Sequence, residues 1–466
     1  MAITQEVLTR EQLVMQTSIT EERDADYQRT IRCILILLAA TVIAAGIFFF
    51  LSSKIYAMVI LGLAVVGLSF YHTPFALMFL FFFYPLEGGV ALSQIGAGSR
   101  VVGLIVMLSY VVTRFRGKVI MPKSFIPILM FLWFASLSII WAVEPSVTVE
   151  GTKSLLLNII MIFILMNTIK DVKQMKMLLW ALFWGGVIAS IMIAQGQVTY
   201  AGGGEKMGRV TLGEGTSPNV LGNSILICFL GGFYLFNEKG WVNKLLFLIG
   251  GPLMLYAILN TQNRTALGTA VMAPIAAFLL SAKGKYLVKN ILGIGLVCLI
   301  GYGMYFAAMN TSLLTEMAKE RMRNSENNLE ESGRVDQWRS GLEFLAQRPF
   351  NGWGWRNFPE MFPDYKPVKS AHNNIVAIAG ELGVTGLLIW ISIYIVVFLQ
   401  TLKLTHPPLR WLAIAFLVFT LITGMTSTTI VQKGYWYAIG VAFLAGNISS
   451  EIDSDDERIH AARIKT

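Results

Sequence analysis

Charged side chains are scarce in this chain. Only 14% of its 466 residues are Asp, Glu, Lys or Arg, whereas 55% are hydrophobic. A soluble domain of this size carries about 25% charged residues. The shortage excludes an ordinary soluble protein and indicates a polytopic membrane protein, so the number of domains cannot be read from the chain length.

Cysteine and histidine are also rare, and this excludes several chemistries. The three cysteines, Cys33, Cys228 and Cys298, lie in or beside apolar runs, and no two of them have the spacing of a zinc or redox motif. The four histidines are too scattered to build a zinc cluster. We therefore expect no metal site and no cofactor.

Nucleotide-binding and hydrolase motifs are missing as well. The stretch AGGGEKMG at 201–208 lacks the P-loop spacing, and no Gly-x-Ser-x-Gly elbow occurs. Asp24 and Asp26 form an Asp-x-Asp pair, but they lie in a short polar segment and are interpreted as solvated charges. The net charge of +9 does not indicate nucleic acid, because the basic residues lie between apolar runs.

Long apolar runs dominate what is present. A membrane-spanning helix needs about 20 apolar residues. The sequence predicts an all-α integral membrane protein with about 12–14 spans. The candidates are 33–51, 55–71, 74–92, 99–113, 125–143, 154–169, 177–195, 219–236, 244–260, 265–282, 290–308, 375–402, 411–427 and 434–449.

Basic residues predict the orientation of these spans. More than half of the 37 lysines and arginines fall in alternate connections and in the two terminal segments. Because positive charge accumulates on the cytoplasmic side, we predict cytoplasmic tails at 1–32 and 450–466. The predicted membrane regions are 33–308 and 372–449. Segment 309–371 and a shorter segment at about 196–218 become extracytoplasmic loops.

The loop 309–371 carries a predicted amphipathic helix at 333–347. Val335, Trp338, Leu342 and Leu345 are expected to share one face. Arg334 falls inside this stripe, one turn before Trp338, so it is expected to face the protein or the membrane interface. Arg339 lies on the flank and is expected to face water.

Four polar side chains are predicted to gather at the outer membrane face: Arg209, Arg264, Arg334 and His372. Arginine is always charged and binds phosphate oxygens in a bidentate fork. This set suits a lipid-linked phosphate or diphosphate. The alternative for Arg264 is that it snorkels to lipid headgroups. The alternative for Arg209 is a solvated surface position, and for His372 it is a surface or capping role. Asn373 or Asn374 is expected to cap the next helix.

A transporter is the alternative from another class. Ion-coupled carriers place charged residues near the bilayer midplane, and the candidate spans are almost free of them. Glu381 is the exception, about 13 Å beyond His372 along a helix. It marks either a deeper position or a re-entrant turn at Gly380 and Gly383.

Several stretches occur in a distinctive order: GRVTLGEGTSPNVLGN, TQNRTALGTA, then SGRVDQWRSGLEFLAQRPFNGWGWRNF followed by SAHNNIVAIAGELGVTGLLIW. With these stretches, residues 209–390 resemble the O-antigen ligase and polymerase family of bacterial membrane glycosyltransferases. The pattern is carried here by Arg334, Trp338, Pro349, Gly352, Gly354, His372, Asn373, Glu381, Gly383 and Gly386.

The resemblance implies a multi-span glycosyltransferase fold of the GT-C-like class, with about a dozen spans, in the bacterial inner membrane. It implies a glycan donor on undecaprenyl diphosphate, with Arg264 and Arg334 holding the diphosphate and His372 activating an acceptor hydroxyl. We add Arg209 as a third diphosphate contact, with Asn373, Trp338 and Glu381 in support. The acceptor is a glycan or a lipid A core. Ligase and polymerase remain open alternatives.

Overall fold

The structure is a computed structural model. It describes residues 24–45, 54–87, 98–114, 121–200, 209–213, 217–238, 240–281, 334–362, 370–404 and 406–464, and single residues elsewhere. Most of the candidate span 290–308 lies outside the described residues, as do the glycine-rich stretch 201–208 and much of 309–333.

The described chain is almost entirely helical. Its α-helices are α1 Asp24–Ala45, α2 Lys54–Tyr71, α3 Thr73–Phe83, α4 Gly98–Arg114, α5 Ile126–Leu137, α6 Pro145–Thr168, α7 Val172–Ala194, α8 Pro218–Asn237, α9 Trp241–Thr261, α10 Arg264–Ser281, α11 Arg334–Gln347, α12 Asn374–Lys403, α13 Pro407–Thr426 and α14 Lys433–Ile464. Short 3₁₀ turns are formed by Tyr84–Leu86, Lys123–Phe125, Ser138–Ile140 and Pro359–Met361. Strands Thr199–Tyr200 and Val210–Thr211 make one antiparallel pair, in which Thr199 faces Thr211.

These helices confirm the prediction of an all-α membrane protein. Among the described residues, eight helices are long and apolar enough to cross a membrane, and four shorter apolar helices accompany them. Every predicted span except 290–308 overlaps a helix. The edges differ: α1 begins at Asp24, before the predicted start, and α6 begins at Pro145, where Glu144 caps its first turn.

The centre of the bundle is formed by α8, α13 and α14. Residues of α8 are buried along most of the helix, and α10 packs on α13 while α7 and α9 pack on α8. The first half of α14 is enclosed, with Trp436 and Phe443 fully buried. Helices surrounded in this way need no polar face, which explains why their sequences show little amphipathic pattern.

Helix α12 is broken near its start. Gly383 has φ 67° and ψ −169°, which is not helical. The loop after α11 fills the break: the amide of Val384 donates to the carbonyl of Pro349 (2.7 Å), and the amide of Gly354 donates to the carbonyl of Glu381 (2.8 Å). The Glu381 carboxylate accepts from the amides of Arg356 (2.8 Å) and Phe358 (3.3 Å).

This arrangement decides between the two positions expected for Glu381. Beyond the break, Val384–Lys403 is by itself long enough, at about 1.5 Å per residue, to cross a hydrocarbon core of about 30 Å. The segment before the break, from Asn374, is therefore not needed for the crossing. The break falls two residues beyond Glu381, at Gly383, which is one of the two glycines at which a turn was expected.

Helix α11 forms where the sequence predicts it, and only part of the predicted stripe packs on the protein. Arg334 and Trp338 are half-buried and Gly341 is buried against Val376 of α12. Val335 and Leu342, which the pattern placed in the same stripe as Trp338, are exposed. The tight contact is made by Gly341, because a glycine lets α11 approach α12 closely. A sequence pattern based on large apolar residues therefore does not predict this contact.

Candidate active site

A polar cavity of about 120 Å³ opens where the ends of several helices meet. Its described lining includes all three predicted arginines and no Asp or Glu. The lining residues are Arg209, Asn219, Asn223, Gln262, Asn263, Arg264, Thr265, Arg334, Thr426 and Ser427. We call this space the arginine pocket.

Asn263 builds the turn that presents Arg264. Its Oδ1 accepts from the amide of Ala266 (3.1 Å), which caps the first turn of α10. Its Nδ2 donates to the Asn219 carbonyl and to Asn223 Oδ1, both at 3.0 Å. Asn263 thereby joins the starts of α8 and α10. The amide ends of helices favour anions, and Arg264 adds a full positive charge at the same place.

Arg209 is held beside the same turn by two hydrogen bonds. Its Nη2 donates to Asn219 Oδ1 (2.8 Å), and its Nε donates to the Thr261 carbonyl (3.4 Å). The residue directly precedes the short strand Val210–Thr211, which pairs with the end of the segment after α7. The predicted extracytoplasmic segment 196–218 thus brings its arginine to the pocket.

Arg334 enters the pocket from the first turn of α11. It is half-buried, whereas Arg339 is exposed, as the helical wheel predicts. Burial lowers the pKa of Arg334 from its ordinary value, and the nearby Arg264 charge lowers it further. Two guanidinium groups that are close enough to repel each other make the pocket a strong site for an anion.

His372 lies beside Arg334, in a tight turn before α12. Its φ of 52° is left-handed, a conformation that non-glycine residues rarely adopt and that concentrates at functional sites. The His372 amide donates to Ser370 Oγ (3.2 Å). Among the described residues, none forms a hydrogen bond with the buried Nδ1 of His372.

The surroundings keep the His372 imidazole neutral. Burial lowers its pKa below the ordinary value of 6.5, and the positive charge of Arg334 lowers it further. At neutral pH the ring is therefore unprotonated, which is the form that can accept a proton.

Two predicted supporting residues hold the turn that carries His372. The Trp338 indole donates from Nε1 to the carbonyl of Ala371 (3.0 Å), so α11 is tied to the residue before His372. Asn373 caps α12 by accepting from the amides of Ile375 (2.8 Å) and Val376 (3.3 Å). The third, Glu381, lies farther along α12 and holds the backbone of the loop at Arg356 and Phe358.

The segment after α13 links this turn to the arginine pocket. Thr426 and Ser427 line the pocket. Immediately afterwards, Thr428 hydrogen-bonds Ser370 (2.6 Å), and Thr429 accepts from buried Asn374 (3.1 Å). The arginines and the imidazole are therefore parts of one connected structure.

The comparison with known families covers this site. Residues 250–391 match the family described as O-antigen ligase. This segment is similar to the O-antigen ligase domain of that family. The finding confirms the resemblance, and it indicates a membrane glycosyltransferase of the O-antigen ligase or polymerase type. No curated protein matches the chain.

The matched segment 250–391 contains Arg264, Arg334 and His372, whereas Arg209 lies before it in the chain. The arginine pocket thus combines residues from inside and outside the matched segment. Across the described residues, no three His, Cys, Asp or Glu side chains are grouped so that they could hold a metal ion.

Sequence reasoning missed the amide and hydroxyl side chains of the pocket. Asn219, Asn223 and Asn263 line it, and so do Thr426 and Ser427. A signal exists for the first group, since Asn263 directly precedes Arg264 in the run TQNR at an apolar helix start. The run TSTT at 426–429 also interrupts apolar sequence, but nothing in it shows which helix ends it meets.

Proposed function

We propose that the chain transfers a glycan from undecaprenyl diphosphate to an acceptor hydroxyl, as an O-antigen ligase does. The donor diphosphate binds in the arginine pocket, held by Arg264 and Arg334 with Arg209 as a third contact. The site faces the extracytoplasmic side of the bacterial inner membrane. The acceptor is a glycan or a lipid A core.

In the proposed reaction, the acceptor oxygen attacks the anomeric carbon of the donor sugar. His372 takes the acceptor proton, a bond forms between that oxygen and the sugar, and the bond from the sugar to the diphosphate breaks. Undecaprenyl diphosphate leaves with the bonding electron pair. Attack from the side opposite the leaving group inverts the anomeric configuration.

The observation that carries this proposal is a pocket lined by three guanidinium groups, with one neutral imidazole beside Arg334. Positive charge fixed in place before the reaction stabilises the negative charge that grows on the leaving diphosphate. An imidazole whose pKa is lowered accepts a proton at neutral pH. Snorkelling of Arg264 alone explains neither the convergence nor the exclusion of carboxylates from the described lining.

The guanidinium groups take the electrostatic role that a divalent metal ion plays in many glycosyltransferases. We therefore predict that transfer continues in excess EDTA, measured as product formed per minute by purified protein. Complete loss of transfer with EDTA, followed by rescue with Mn²⁺, would contradict this part of the proposal.

A polymerase, which joins one lipid-linked glycan to another, uses the same donor chemistry. A transporter of lipid-linked glycans would also bind the diphosphate, but it would make no new bond. Purified protein in detergent, offered a defined lipid-diphosphate glycan and candidate acceptors, separates the three when products are identified by mass spectrometry. The expected result is a new glycosidic product.

The matched control is His372→Ala in the same assay. Loss of a general base costs about 10²–10⁴-fold in rate. We expect that loss with donor binding and expression retained. Full activity of His372→Ala would refute the role of the imidazole, and absence of any product from the unmodified chain with every acceptor would favour a transporter.

A further inference from the structure

Helix α11 has three faces, not two. On a helix that turns about 100° per residue, Arg334, Trp338, Gly341 and Leu345 fall within about 60° of each other. This is the face packed on the protein, with Gly341 buried against Val376. The two other faces are both exposed, and they differ in polarity. Neither has a role in the proposed reaction.

The second face is apolar. Val335, Leu342 and Ala346 fall within about 40° of each other, directly beside the packed face, and Leu342 is 59% exposed. The third face is polar: Asp336, Glu343 and Gln347 are all exposed and lie a further quarter turn away. Arg339 is exposed at the boundary between the apolar and polar faces.

The apolar face approaches an exposed apolar side of α12. Phe350, just after α11, is 74% exposed, and its backbone lies against Gly383 at the break of α12. The next residues along α12 on that side, Val384 and Leu388, are exposed apolar side chains at the start of the membrane crossing. The exposed apolar surface therefore runs from the crossing up onto α11.

We propose that α11 lies in the outer leaflet of the membrane, with Val335, Leu342 and Phe350 immersed at the boundary between headgroups and acyl chains. An apolar face of this kind buries itself by about 5–10 Å in that boundary, and an arginine at its edge reaches lipid phosphates. Arg339 occupies that edge. Asp336 and Glu343 face the water.

The consequence concerns the position of Arg334. The helix that carries this arginine is held on one side by α12 and on another by the lipid. Immersion of Val335 and Leu342 therefore sets the height of Arg334 at the leaflet surface, where the phosphates of a lipid carrier lie. The immersion itself does not depend on the proposed reaction.

The test measures the depth of single spin labels in nanodiscs of phosphatidylethanolamine and phosphatidylglycerol. Labels are attached to Leu342→Cys and, as the matched control one residue away, Glu343→Cys. The parent chain provides the blank for its own cysteines, of which Cys33 and Cys228 are buried. Oxygen concentrates in the acyl region, and a water-soluble nickel chelate is excluded from it.

We expect collisions with oxygen to exceed collisions with nickel at Leu342→Cys, and the reverse at Glu343→Cys. Equal access of nickel to both positions would overturn the proposal. Magnetic broadening between labels on two chains would do so as well, since the apolar face would then be covered by a second copy. Val335→Cys paired with Asp336→Cys repeats the comparison on the preceding turns, so failure of one variant to fold does not prevent the test.

Discussion

At the scale of residues, two arginines on one helix offer a direct comparison. Arg334 lines the arginine pocket and Arg339 faces outward, although only five positions separate them on α11. A hydrogen bond to a charged group contributes about 1.5–3 kcal/mol. We therefore expect Arg334→Ala to weaken binding of a lipid diphosphate by roughly tenfold or more.

The control for that prediction is Arg339→Ala, which should leave the dissociation constant for the lipid diphosphate nearly unchanged. Both constants can be measured by titrating a fluorescent lipid diphosphate into purified protein in detergent. Equal losses in the two variants would contradict the assignment of Arg334 to the pocket and show that any arginine on α11 attracts the lipid.

His372 gives a prediction in pH. Because burial and the Arg334 charge lower its pKa, the neutral base is present at pH 7 and is lost only as the pH falls through a value below 6.5. The acidic limb of kcat should therefore lie below pH 6.5. Arg334→Gln removes the repelling charge, so the pKa should rise and the limb should move to higher pH.

The conservative variant Arg334→Lys keeps the charge and should keep the limb near its original pH, even if the donor binds less well. Profiles of kcat against pH at saturating donor separate the two effects. A limb at the same pH in Arg334→Gln and the unmodified chain would show that the arginine does not act on His372.

The sequence predicts which charged residues belong to the candidate site, but it does not predict the contacts between them. His372, Arg264 and Arg334 stand out because a membrane helix has no need of them. Arg264 and Arg334 line one pocket, and His372 lies beside Arg334. Asn263 and Thr426 do not stand out, because amides and hydroxyls are common at helix ends. Their place in the pocket depends on which helix ends meet, and that is decided by packing across the whole bundle.

At the scale of elements, the break in α12 is the feature that organises the site. Gly383 adopts a backbone conformation open essentially to glycine alone, and an added Cβ would lie 2.5 Å from the backbone carbon of Phe350. Such strain costs about 1–3 kcal/mol. We expect Gly383→Ala to lower the unfolding temperature in detergent. The measurement is the change in tryptophan fluorescence as buried tryptophans become exposed on heating.

Gly268→Ala on α10 is the matched control, since an added Cβ there meets nothing within 4 Å. Alanine is favoured over glycine inside a helix by up to about 1 kcal/mol, so this variant should be as stable as the parent or slightly more so. A comparable fall in the unfolding temperature of both variants would show that the backbone conformation of Gly383 makes no specific contribution to stability.

Elements divide clearly into those that sequence predicts and those it does not. Apolar runs locate the spans because lipid demands a continuous helix of about 20 residues. The break at Gly383 lies inside such a run, and the hydrogen bonds that stabilise it come from Pro349 and the loop that follows. Gly383 and Glu381 are consistent with a turn in the sequence. The turn forms because the loop that begins at Pro349, which is distant in the sequence, hydrogen-bonds to the chain there.

At the scale of the whole molecule, the two ends of the helices differ in charge. The start of α8 lies at the arginine pocket, and its other end leads to Glu238, which pairs with Lys176 at the start of α7 (2.7 Å). Lys173 on that same turn pairs with Asp24 (2.8 Å). Lys170, Lys173 and Lys176 therefore lie on the side opposite the pocket, which we propose is the cytoplasmic side.

This orientation predicts which cysteine a membrane-impermeant thiol reagent reaches in intact cells. Glu343→Cys, on the pocket side, should react without permeabilisation, and Lys173→Cys should react only after the membrane is opened. Both parent residues are exposed, so accessibility within the protein is matched. The opposite pattern would put the arginine pocket in the cytoplasm, where a carrier displayed on the outer leaflet cannot reach it, and the proposed reaction would fail with it.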